Sequence, residues 1–180
     1  MRFTDFLKAT VMICAAAASV LAAVCVFGSG QDDTPTLVLL AAAWWAVAGA
    51  VGLWLGRRAS VNPPITRLLA AARTQSSLPD ARAGGMLVNR LGPLFVVVVV
   101  AGAFAFFAPQ VPGIAAGFPI IWALTWRRQE AAVTAIEDRD GVRFYLQPTR
   151  FYEPIELVRT PGFKATAFEL EGKRTVLRAP

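Results

Sequence analysis

Long uncharged runs alternate with short basic segments along this chain, and that alternation predicts its organisation. An α-helix rises about 1.5 Å per residue, so about 20 apolar residues cross the roughly 30 Å hydrocarbon core of a bilayer. Residues 9–28 and 37–56 are two such runs of 20 residues each without a charge. Between them, Gly28, Gly30 and Pro35 surround a polar stretch and mark a turn. Residues 1–56 therefore read as a transmembrane helical hairpin.

A second apolar block covers 36 residues, 91–126, between Arg90 and the pair Arg127, Arg128. Pro109, Pro112 and Gly113 place a turn inside it. What remains, residues 91–107 and 114–126, gives 17 and 13 residues, or about 25 Å and 20 Å of helix. Two solutions fit: the last helix runs on through Arg127 and Arg128, whose long side chains snorkel to the interface, or the pair is a re-entrant hairpin. Two true spans are the expectation, with a kink at Pro119. The fold class expected is thus an α-helical membrane protein with four transmembrane helices arranged as two hairpins, 1–56 and 91–126. A basic loop, 57–90, joins them, and a small cytoplasmic β-rich module, 127–180, follows.

The distribution of charge orients this arrangement. Arg2 and Lys8, six arginines in residues 57–90 and all remaining basic residues after Trp126 lie on one side, while the opposite loops carry only Asp32 and Asp33. The positive-inside rule puts both termini and the central loop in the cytoplasm, in a plasma membrane. Trp54 followed by Arg57 and Arg58, and Trp126 followed by Arg127 and Arg128, place an aromatic ring at headgroup level with paired cations beyond it. These six residues are candidate membrane-interface anchors. A cleavable signal peptide is the rival reading of the N-terminus, but its uncharged run exceeds the usual apolar region of about 7–15 residues. Within the spans, Ala48, Gly52 and Gly56 form a small-residue stripe, and Gly113 with Gly117 repeats the GxxxG spacing. Such stripes let helix backbones approach closely, here chiefly within one chain.

The central loop contains a predicted short helix. Asn62 is its N-cap and Pro63 and Pro64 its first turn. Ile65, Leu68, Leu69 and Ala72 then form an apolar stripe flanked by Arg67 and Arg73, as in a helix lying in the interface. Six arginines against Asp80 make the loop strongly positive, so anionic lipid headgroups are its expected partner, and nucleic acid is not. In the tail, Val142, Phe144 and Leu146 alternate with Arg143, Tyr145 and Gln147, a strand pattern preceded by Asp140 and Gly141. That dipeptide predicts a hairpin back to a strand at 132–136. Further strands are expected at 155–158, 164–170 and 173–177.

Composition then limits the chemistry. The chain has 180 residues, 56% of them hydrophobic and 17% charged, with a net charge of +6 and no histidine. The commonest general base and metal ligand is missing, and residues 127–180 hold no Ser or Cys. No catalytic residue, metal site or cofactor is expected. Intramembrane charge, which coupled carriers need, is absent from all four runs. Arg143, Arg150, Phe151, Tyr152 and Arg159 form a candidate aromatic and basic face for a protein partner or a second copy. The expected function is a non-enzymatic accessory or scaffold component docking a partner at the cytoplasmic face. The alternative is a small transporter or channel subunit, with Thr10, Ser19 or Thr125 lining its path.

Overall fold

The structure is a computed structural model that describes residues 1–29, 35–57, 60–74, 83–108, 110–147 and 155–161. Four longer helices, α1 (Phe3–Ser29), α2 (Pro35–Leu55), α4 (Ala83–Phe104) and α5 (Gln110–Trp126), form a bundle. Two shorter helices, α3 (Pro63–Ala70) and α6 (Gln129–Asp140), and three strands, β1 (Arg73–Thr74), β2 (Val142–Leu146) and β3 (Leu157–Pro161), form a module at one end of it. Three stretches are long and apolar enough to span a membrane: Phe3–Gly28, Thr36–Leu55 and Gly84–Phe104. Only 11% of each of the latter two is buried inside the chain, so most of their surface is apolar and uncovered, as a bilayer would require.

The helix α5 is the centre of the bundle. It packs most extensively on α1 and then α2, whereas the sequence neighbours α1–α2 and α4–α5 touch less. Small residues permit this. A Cβ added at Gly52 would lie 2.8 Å from Leu124 Cβ and 3.1 Å from the Ile121 backbone, and one added at Gly113 would lie 2.8 Å from Cys25 Sγ. Gly56 backs onto the Leu124 carbonyl and Gly117 onto the Trp44 indole. Ala48, on the same stripe as Gly52, is fully buried. Two tryptophans of α2 then clamp α5: Trp44 Nε1 donates to the Ile114 carbonyl at 3.0 Å and Trp45 Nε1 to the Gly113 carbonyl at 2.8 Å. A helix carbonyl has a second lone pair for such a bond, and in an apolar surround each indole N–H requires a partner. Cys14 and Cys25 are buried cysteines outside any disulfide.

Several boundaries differ from those expected. α1 starts at Phe3, two turns before the uncharged run, because Phe3, Phe6 and Leu7 are buried in the module. α4 begins at Ala83 and so includes Arg90 and Pro93, which the sequence assigned to a loop and to the start of a span. Pro112 belongs to the first turn of α5, where the backbone N–H has no intrahelical acceptor and proline costs nothing. The strand expected at 132–136 is helix α6, and the Asp140-Gly141 pair ends it: Gly141 is left-handed, with φ 64°, and its N–H donates to the Glu137 carbonyl. The same dipeptide serves a hairpin turn or a helix C-cap. Among the described residues of 127–180, one helix and two strands are found where a β-rich module was expected.

Strand order is β1-β3-β2, with β3 parallel to β1 and antiparallel to β2. The loop between α2 and α4 thus contributes a strand to the sheet of the tail. Expected strand 155–158 is observed from Leu157, and those at 164–170 and 173–177 lie outside the described residues. The module core joins Phe3, Phe6 and Leu7 of α1 to Ile65 of α3, Met86 of α4, Val133 of α6 and Val142, Phe144, Leu146 and Leu157 of the strands. Ile65 is 1% exposed, so the α3 stripe packs on protein, in contrast to the lipid contact expected of it.

Gly117→Ala would drive a methyl group into the Trp44 ring, and overpacking of this kind costs about 1–3 kcal/mol. Trp44→Phe loses the indole hydrogen bond, worth about 0.5–1.5 kcal/mol, together with part of the ring packed on Phe118, and should also destabilise. Both are read as shifts of the unfolding transition in mixed detergent micelles. A Gly117→Ala chain as stable as the parent would contradict the close α2–α5 approach.

Candidate functional site

The module is organised around one buried carboxylate. In α6, Gln129, Val133 and Glu137 are the buried residues, spaced one turn apart on a single face. Gly141 then reverses the chain, and β2 returns so that Arg143 and Phe144 lie over the end of the helix. Glu137 has a side chain with 0% exposure, and its Oε2 receives Arg2 Nη2 and Arg143 Nη1, each at 3.0 Å. Its Oε1 accepts the Phe144 backbone N–H at 2.9 Å. Arg143 Nη1 also lies 3.2 Å from Asp138 Oδ1. An ionised carboxylate out of water needs this number of partners, since desolvation costs several kcal/mol and only charge-assisted hydrogen bonds offset it. The Arg143 guanidinium is in turn held more firmly protonated, first by the Glu137 hydrogen bond.

These contacts tie three distant parts of the chain together. Arg2 begins α1, its backbone bridges to Tyr145 of β2, and the Leu146 N–H donates to the Met1 carbonyl at 3.0 Å. Gln129, 1% exposed, accepts the Asn62 N–H on Oε1 at 2.9 Å and so fixes the start of α3. Asn62 stands at the N-cap without a side-chain capping bond. Arg128 Nη1 reaches the Arg57 carbonyl at 3.2 Å, joining the ends of α2 and α5. The N-terminus, the α2–α4 connection and the tail therefore share one end of the bundle.

The residues singled out in the sequence are distributed unequally over this frame. Trp54 is 67% exposed at the end of α2, with Arg57 exposed beyond it. Trp126 packs against the module core and stacks on Trp122 with centroids 6.0 Å apart, while Arg127 and Arg128 are exposed. Arg143, placed on a partner face, faces Glu137 and Asp138 instead, because the reversal at Gly141 carries it back over α6. Arg159 is exposed on β3, paired across the sheet with Phe144 and Thr74. Arg58, Arg150, Phe151 and Tyr152 lie outside the described residues. Of the candidate path residues, Thr10 and Ser19 donate to carbonyls one turn back on α1, at 2.8 and 3.0 Å. Thr125 Oγ1 is buried without a hydrogen bond, and none of the three lines the cavities between α1, α4 and α5. Among the described residues no three His, Cys, Asp or Glu side chains come together as a metal site.

Glu137 was not singled out by sequence reasoning. The one available signal was its spacing of four and eight residues from Val133 and Gln129, which reads as a helical face only when polar residues are allowed on it. Exposed Arg57, Arg67, Arg73, Arg127 and Arg128 surround the junction between bundle and module, so its field at the boundary is positive.

Glu137→Ala leaves two guanidinium groups and a backbone N–H without their acceptor and should destabilise the module by about 3–5 kcal/mol. Arg2→Ala and Arg143→Ala should cost less, about 1–3 kcal/mol, because each side chain is over a third exposed. The readout is hydrogen exchange at the Phe144 amide, whose protection should fall most in Glu137→Ala. At the exposed end of α6, the hydrogen bond from Arg139 holds the Asp140 carboxyl below the usual carboxylate range. A depressed folded-state value means stabilisation that is present at neutral pH and lost as pH falls through that value. Asp140→Asn should therefore lower stability slightly at neutral pH, converge with the parent at low pH and so flatten the acid limb, as denaturant unfolding across a pH series would show.

Compared with protein-family models, curated proteins and solved structures, the chain gives no match in any of the three.

Proposed function

We propose that this chain is an integral protein of the plasma membrane, crossed by four helices with α5 as the fourth, both termini facing the cytoplasm. It works without catalytic machinery, as a membrane-fixed platform whose cytoplasmic module docks a protein partner. The observation that carries this reading is the continuity of α1. One helix of 27 residues, about 40 Å long, exceeds the roughly 30 Å hydrocarbon thickness. Its first turns are part of the module core, and Arg2, immediately before it, pairs with Glu137. A module built this way cannot swing on a linker, and a fixed orientation suits presentation of a surface to a partner. The arginines at the junction support the orientation, since each basic residue near an anionic leaflet is worth about 1 kcal/mol. Arg159, exposed on β3 and in register with Thr74 of β1, is a basic residue of the module placed to meet an acidic partner.

Two experiments test the reading. In a chain with Cys14 and Cys25 replaced by alanine, an impermeant thiol reagent applied to intact cells should label Gln31→Cys and spare Gln147→Cys; the reverse result sinks the orientation. For docking, photocrosslinking from a probe on β3 in native membranes should give a discrete adduct that disappears in Arg159→Glu. An adduct pattern unchanged by that charge reversal argues against a partner on this face.

A further inference from the structure

The end of the bundle away from the module carries an apolar surface of its own. Phe106 and Phe107, in the connection from α4 to α5, are 91% and 86% exposed, the most exposed large hydrophobic side chains among the described residues. They continue the uncovered apolar surface of α4, where Val99, Val100 and Phe104 are also exposed. A scattered apolar side chain on a surface is ordinary, but a contiguous apolar patch marks a contact. No charged residue occurs from 91 to 126, whereas the connection from α1 to α2 holds Asp32 and Asp33. The two connections therefore differ in what they can face.

Helix contacts set the level of this turn. Leu21 of α1, Ala101 of α4 and Ala116 of α5 form one interior cluster and so mark a common depth. Trp126, which packs on the module core and precedes exposed Arg127 and Arg128, lies about 15 Å along α5 from Ala116, and Gln110 about 9 Å the other way. From its arginine-flanked end α5 thus rises about 24 Å, about 6 Å less than a hydrocarbon core of roughly 30 Å. The backbone of the turn suits that depth. The N–H groups of Ala105, Phe106, Phe107 and Ala108 donate to the Gly102, Ala103 and Phe104 carbonyls at 2.8 to 3.4 Å, and the Val111 N–H to the Ala108 carbonyl at 3.0 Å. Residue 109 is proline, which has no N–H. Unpaired backbone donors are what keeps connecting turns out of hydrocarbon, and here those of 105–108 are paired.

We propose that Phe106 and Phe107 anchor the α4–α5 turn in the acyl chains of the leaflet away from the module, so that this hairpin ends beneath the headgroups and does not emerge into water. Three features select lipid over a protein as the occupant of the patch. The level of the turn lies within the hydrocarbon, residues 105–108 offer no polar side chain to orient a partner, and the patch is continuous with the uncovered face of α4. Burial of one phenylalanine side chain favours hydrocarbon over water by about tenfold to a hundredfold. Local thinning of the bilayer absorbs the shortfall in helix length. The proposal rests on the membrane reading above, with α5 as the fourth crossing helix.

The test is electron paramagnetic resonance of single spin labels on the full chain, with Cys14 and Cys25 replaced by alanine, in phosphatidylcholine vesicles. Collisions with oxygen report acyl chains, and collisions with a water-soluble nickel chelate report water. A label at Ala108→Cys should meet oxygen as readily as one at lipid-facing Val99→Cys, and should meet nickel about tenfold less than one at Gln31→Cys, the ratio set by burial of one phenylalanine. Adding Phe106→Ser and Phe107→Ser, both outside the core, should raise nickel access at Ala108→Cys about tenfold while the Val99→Cys label stays shielded. Nickel access at Ala108→Cys equal to that at Gln31→Cys overturns the proposal, as does indifference to the serine pair. A label at Ala108→Cys reached by neither reagent places a second copy or another protein on the patch and overturns it too. Nickel access at Val99→Cys in the parent chain overturns the membrane reading instead, so the two failures are distinguishable.

Discussion

The burial of Glu137 is the constraint from which the module follows. A carboxylate with no exposure must keep its charge partnered in every populated state, and its partners come from residue 2, residue 143 and the backbone of residue 144. Satisfying it fixes the N-terminus of α1 against α6 and sets the path of β2. Buried ion pairs do not by themselves make a protein more stable than a well-packed apolar core would be. What this one does is penalise alternatives: any arrangement that separates α1 from α6 leaves a desolvated charge. The hydrophobic cluster of Phe3, Phe6, Val133 and Phe144 then supplies the non-directional part of the stabilisation around that fixed geometry.

In the membrane setting proposed for the bundle, a second constraint operates, because burial of apolar surface gives little drive in an apolar solvent. There close approach and hydrogen bonding replace it. Gly52, Gly56, Gly113 and Gly117 bring α5 near α1 and α2, and the Trp44 and Trp45 indoles bond to its backbone. This arrangement explains why α5, at 17 residues the shortest helix of the bundle, is also its most enclosed. Its length matters less than its neighbours when it is surrounded by protein.

Legibility in the sequence follows the same division. The apolar runs of α1, α2 and α4 were legible because these helices are apolar nearly all round, so composition alone marks them. The small-residue spacing also pointed to residues that the structure puts at helix contacts. The order in which helices pack was not legible, since α1 meets α5 across eighty residues of intervening chain. α6 was misread for a definite reason: two of its three buried positions, Gln129 and Glu137, are polar, so no apolar period of 3.6 appears, while Val133, Thr134 and Ile136 carry strand propensity. Tertiary pairing with Arg2 and Asn62 makes those polar residues core, and single-sequence patterning has no access to it.

The two constraints meet in α1, and their meeting has a consequence for how the protein responds to stress. Its C-terminal part packs through Leu21 and Cys25 on α5, and its first turn holds Arg2 against Glu137. A helix propagates displacement along its axis because each turn is bonded to the next. Tilting of α1 in response to its lipid or to a neighbour would therefore load the Arg2–Glu137 contact and the Met1–Leu146 backbone bond before any other part of the module. Those contacts are the place where a change in the bundle would reach the β-sheet, and Arg2, over a third exposed, is the partner of Glu137 on that helix best able to yield.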